Sequence, residues 1–91
     1  MTYPTDHPNV KLFAELLAIP SPSGREERMA AFIETYIAKL GHTAQKDAQG
    51  NVWVEIEGQN PDQGRIALAS HMDELAMVIT NICPDGTLTA R

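Results

Sequence analysis

The sequence predicts a small α/β domain, and three observations lead there. An apolar stripe at helical spacing runs between positions 29 and 40. The pattern then changes to alternation on either side of "AQGN" (48–51), and "RIALA" (65–69) is short and nearly all apolar. A stripe recurring every three to four residues buries one side of a helix, and alternation buries one face of a strand. A continuous apolar run of this length suits an interior strand covered on both faces. Helix followed by strands in this order gives a sheet with a helix packed on one side.

Each element has its own reason. Val10, Leu12, Phe13, Leu16 and Leu17 recur at helical spacing, so a first helix is expected over 9–18, ended by Pro20. "PSPSG" (20–24) is a rigid connector with one flexible residue. Ser23 stands three positions before Glu26, which predicts a capping box that satisfies two orphaned backbone donors of the second helix. Met29, Phe32, Ile33, Tyr36, Ile37 and Leu40 form the apolar stripe of that helix, and Gly41 is placed to end it. Residues 42–47 then read as a strand, "AQGN" as a turn, and Val52, Val54 and Ile56 as the inward face of a hairpin. Asp47 and Asn51 flank that turn and are expected to hydrogen-bond its backbone. "GQNPDQG" (58–64) is a polar loop before the interior strand at 65–69. A further strand is expected over 75–82, turned by "CPDG" (83–86) into 87–91.

Bulk properties narrow the function. At 91 residues the core is thin, because a domain this short buries only roughly 60–65% of its unfolded surface. The net charge of -5 and the lack of a basic cluster argue against nucleic acid or an anionic membrane as partner. Cys83 is the single cysteine, so no internal disulfide forms and a reducing, cytoplasmic setting is expected. No apolar run approaches the roughly 20 residues of a membrane span, and the first ten residues lack a secretory pattern. The sequence ends at Arg91 inside the second arm of a hairpin, and an unpaired strand edge is a liability. The expectation is the N-terminal piece of a longer protein.

The chemistry lies in "ALASHMDELAMVI" (67–79), where a histidine and two carboxylates interrupt an apolar segment. Ligand groups of open α/β sheets collect at the carboxyl ends of strands, and His71 follows such a strand. A neutral imidazole there can bind a transition metal at about 2.0–2.1 Å. Its other nitrogen must then donate, and a carboxylate fixes that tautomer. In an extended segment residues i and i+2 share a side, so Asp73 accompanies His71 as orienting acceptor or as ligand. Glu74 points the other way, to a salt bridge or the cleft. The competing reading of His-x-Asp is a strand-end histidine hydrogen-bonded to a carboxylate. One histidine and one aspartate do not complete a site that wants three or four ligands.

In order and interval, "IPSPSGREE", "DAQGN" opening a strand, "IALASHMDELAMVITNI" and "DGTL" resemble the glutamyl aminopeptidase and TET aminopeptidase family, metallopeptidase family 42. Some relatives of that family carry the label cellulase M or endoglucanase. The resemblance covers about residues 10–90, with "HMDE" and its apolar flanks as the specific part. "SPSG" and "GN" are shared with other dinuclear zinc exopeptidases. The resemblance implies the N-terminal part of a zinc-exopeptidase-like α/β sheet over 1–75, and over 76–91 the start of an inserted β-rich oligomerisation domain. It implies two divalent ions, zinc or cobalt, with His71 as a metal ligand and Asp73 as the catalytic-centre carboxylate that orients it. It implies a peptide substrate that loses its N-terminal residue, and a homo-oligomer from dimer to dodecamer. The general base and the other ligands are expected after Arg91. One position departs, since the family often has glycine where Ala76 stands.

Rival readings remain open. A related zinc exopeptidase or deacylase keeps the chemistry and changes the substrate. A noncatalytic assembly or binding domain keeps only the fold. A glycanase needs two facing carboxylates about 5–9 Å apart, and no such pair stands out. Ser21 and Ser23 lack the G-x-S-x-G elbow of a nucleophile, and Cys83 has no neighbouring cation to activate it. His7 and His42 read as surface residues, and Trp53 as packed under a helix or subunit.

Overall fold

The computed structural model describes residues 5–91. Helix α1 (Pro8–Leu17) opens on proline, whose missing N–H is harmless at a first helical position. The His7 ring accepts the Asn9 amide proton at 3.1 Å. Helix α2 (Glu27–Lys39) carries the predicted stripe and buries Met29 and Ala30, at 5% and 2% exposure. Gly41, at φ +88°, ends it. Its amide bonds the Ala38 carbonyl and that of His42 bonds the Ile37 carbonyl, at 3.0 and 3.2 Å. These two bonds satisfy carbonyls that a helix end otherwise leaves bare.

The start of α2 departs from expectation, because the capping box does not form. Glu26 takes the N-cap position without a side-chain cap bond. Its carboxylate reaches back to the Gly24 amide at 2.7 Å instead. Ser23 lies before Gly24, where φ is +85°, and its hydroxyl donates to the Asp73 carboxylate. A hydroxyl bonded to a carboxylate makes a charge-assisted bond, stronger than a neutral cap, and that competition decides the outcome.

Strands β1 (Gln45–Lys46) and β2 (Val52–Trp53) pair antiparallel, with Gln45 opposite Trp53 and Lys46 opposite Val52. Asp47 builds the turn between them. One carboxylate oxygen accepts the amides of Gln49 and Asn51, both at 2.9 Å, and the other accepts the Asn51 side chain at 2.8 Å. Lys46 reaches Glu34 of α2 at 3.5 Å, an exposed pair of little energetic weight. Pro61–Gln63 forms one 3-10 turn inside the polar loop. Strands β3 (Ile79–Ile82) and β4 (Leu88–Ala90) form a second antiparallel hairpin around the expected turn, where the Gly86 amide bonds the Cys83 carbonyl at 3.0 Å.

The two helices and two strand pairs make a mixed α/β chain, but the interior strand predicted at 65–69 does not form. These residues have no regular structure, and Ile66 and Leu68 are 93% and 96% exposed. A strand exists only where a neighbour lies about 4.8 Å alongside to take its hydrogen bonds. Among the described residues none flanks this run. The consequence is visible in the surface, 8391 Å² against about 5,200 Å² for a folded monomer of this mass. No helix among the described residues is long and apolar enough to cross a membrane.

Candidate functional site

The "PSPSG" loop docks onto the "HMDE" segment through main-chain atoms and one side-chain bond. The Glu74 amide bonds the Ser21 carbonyl at 2.8 Å, and Pro22 and Glu74 form a parallel bridge. Prolines at 20 and 22 fix two φ angles of the loop, so little further ordering is needed for docking. Ser21 is buried at 1% exposure beneath the junction.

This docking sets the position of the two residues singled out in the sequence. His71 Nδ1 lies 2.9 Å from Asp73 Oδ1 and 3.1 Å from the Asp73 carbonyl oxygen. The other carboxylate oxygen, Oδ2, accepts the Ser23 hydroxyl proton. That hydroxyl first, and the His71 ring second, hold the Asp73 carboxyl below its usual pKa. At neutral pH the carboxylate is therefore an acceptor only, and a neutral His71 must carry its proton on Nδ1. Nε2 then presents a lone pair, on a side chain that is 84% exposed. Glu74 is half-buried and lines the same cleft.

The cleft is open, with a volume of about 820 Å³. Phe13 and Leu16 of α1 and Met29 and Ile33 of α2 supply an apolar wall. The hairpin turn and residues 68–74 close two further sides. Trp53 is 41% exposed and lines this cleft. An imidazole with its outer nitrogen free and its inner one held by a carboxylate is the donor arrangement that suits a divalent transition metal. Among the described residues no group of three or more His, Cys, Asp or Glu side chains converges on one point. Among the described residues, the cleft thus brings together one imidazole and the carboxylate bonded to it.

Ser23 is the member of this arrangement that the sequence did not point to. Its spacing to Glu26 imitates a helix cap, and its actual partner lies fifty positions away. No local pattern carries that information.

Residues 50–91 match the profile of the M42 glutamyl aminopeptidase family. Over those residues the chain is similar to that family. The M42 match contains both His71 and Asp73, while Ser23 lies outside it. A LysW-lysine hydrolase of Deinococcus radiodurans is 40% identical over 63 residues, which is 69% of this chain and 17% of that protein. A Pyrococcus abyssi protein provisionally named as a LysW-lysine/LysW-ornithine hydrolase is 40% identical over 73 residues, 80% of this chain and 20% of its own length. The glutamyl aminopeptidase of Lactococcus lactis is 29% identical over 72 residues, 79% of this chain and 20% of that enzyme. The chain therefore spans about a fifth of the length of the curated relatives it matches. All three names are those of hydrolases.

Proposed function

We propose that this chain forms part of a dinuclear metal-dependent aminopeptidase, a hydrolase that removes N-terminal residues from peptides. His71 binds one of two divalent ions, zinc or cobalt, through Nε2. Asp73 holds the ring from behind, fixing its tautomer and raising its basicity. The observation that carries this reading is the His71–Asp73 bond of 2.9 Å at the edge of an open cleft, with the outer ring nitrogen unengaged among the described residues. Such ions, when bound, polarise the scissile carbonyl and acidify the attacking water. The apolar wall from α1 and α2 shields one side of the cleft from solvent. In this reading residues 1–75 are the N-terminal part of a zinc-exopeptidase-like catalytic sheet. Residues 76–91 begin an inserted β-rich domain that drives assembly of a cytoplasmic homo-oligomer. The 91 residues alone bind zinc weakly or not at all, because a site wants three or four ligands.

A second reading rests on the names of the two relatives at 40% identity. It keeps the metal centre and makes the substrate a LysW-lysine type conjugate rather than a general peptide. One experiment separates both from a noncatalytic role. The full-length enzyme is loaded with zinc and assayed on aminoacyl p-nitroanilides and on N-acyl amino acids, beside a His71→Ala variant. The expected result is turnover of the p-nitroanilides, and in the variant a loss of about 100-fold or more together with the bound metal. Turnover of the acylated substrates alone favours the deacylase rival. Undiminished metal content and activity in His71→Ala would overturn the site.

A further inference from the structure

We propose that Ser23 is a positioning residue for the His71–Asp73 pair, acting through the carboxylate to keep the His71 proton on Nδ1. This rests on the reading in which His71 offers Nε2 to a metal ion.

The geometry has three parts. Asp73 spends one oxygen on each neighbour, Oδ1 on the His71 ring and Oδ2 on the Ser23 hydroxyl. A carboxylate held at one oxygen turns about a broad, soft torsion. Held at both, it has one orientation, and the oxygen facing His71 stays there. The second part is the alternative acceptor. The Asp73 carbonyl oxygen sits 3.1 Å from the same ring nitrogen, and it is neutral, so it competes less well for the proton. If the carboxylate turns away, the imidazole is left with this weaker partner and part of the population moves its proton to Nε2. A ring protonated at Nε2 has no lone pair there to give. The third part is the docking of the loop. The Ser21 carbonyl and the Glu74 amide hold the loop against the segment through main-chain atoms. Removal of the Ser23 hydroxyl therefore leaves the junction in place and deletes only the grip on the carboxylate.

The test is the ratio of the two His71 tautomers, read from the ring nitrogen shifts in ¹⁵N NMR of the full chain at about pH 9, above the titration of an ordinary imidazole. In the parent protein Nδ1–H dominates. Ser23→Ala lowers the ratio of Nδ1–H to Nε2–H by about three- to tenfold, the scale of one lost hydrogen bond. Ser23→Thr, which keeps a hydroxyl, restores it. Should Ser23→Ala fail to fold, Ser23→Cys, similar in size and a weak donor, gives a fall in the same direction. An unchanged ratio in the folded Ala or Cys variant overturns the role of Ser23 and leaves the His71–Asp73 pair standing. A parent protein already protonated at Nε2 overturns the pair itself, and with it the metal-ligand reading.

Discussion

Helix α2 with its hairpin and the run at 65–69 are both strongly patterned, yet only one of them folds into the expected element. The stripe of α2 closes its hydrogen bonds within four residues, and the hairpin closes its own across a five-residue turn held by Asp47. Both are finished by groups close in sequence. "RIALA" is at least as apolar, but an interior strand takes every backbone bond from neighbours that are remote in the chain. Its leucine and isoleucine stand in water at more than nine-tenths exposure. Apolar pattern states where a segment belongs once its partners are there, whereas local hydrogen bonding decides what forms without them.

The sharpest way to break this contrast is to remove the anchor of the closed region. Met29 is one of two buried apolar residues among those described, and it lines the cleft from α2. Met29→Ala should destabilise the helical signal by about 2 kcal/mol, the low end for a core truncation, because the open cleft lets water fill the gap. Urea titration followed by far-ultraviolet circular dichroism measures it. An unchanged midpoint would mean that α2 stands on its own propensity, and that the difference between the two regions lies elsewhere.

What could be read from the sequence divides along the same line. The stripe, the terminating glycine, the Asp47–Asn51 turn and the "CPDG" turn are local, and the structure has each of them. The approach of His71 to Asp73 follows from two positions on one side of an extended segment, and it is local as well. The role of Ser23 depends on a contact across fifty residues. Its local spacing pointed to a helix cap, and the stronger acceptor elsewhere in the fold prevailed. The missing strand fails for the complementary reason, since its pattern is legible while no strand lies beside it among the described residues.

A smaller effect sharpens the comparison through pH. The Asn51 side chain, followed by the backbone amides of the turn, holds the Asp47 carboxyl below its ordinary pKa. A carboxylate depressed on folding stabilises the folded form above the unfolded pKa, about 4, and loses that contribution as pH falls through the folded value. Acidification below about pH 4 should therefore loosen the first hairpin. Asp47→Asn should flatten this part of the dependence, seen in the amide shifts of Gln49 and Asn51. A turn as tight at pH 2 as at pH 6 would assign its stability to the glycine and the strand pairing instead.

The smallest expected effect is the most telling one. Leu68 is 96% exposed, although its sequence neighbourhood reads as the heart of a sheet. In a buried strand, a lysine at this position would place a charge in an apolar interior and cost several kcal/mol. At an exposed position with no specific contact, a substitution stays within about 0.5 kcal/mol. Leu68→Lys in the 91-residue chain should therefore leave the urea midpoint of α2 unmoved while lowering the tendency to aggregate, because it interrupts an exposed apolar run. The same substitution in the full-length protein should be strongly destabilising if 65–69 is an interior strand there. A midpoint indifferent to Leu68→Lys in both settings would show that the run is never covered, and the α/β sheet proposed for residues 1–75 would lose its central member.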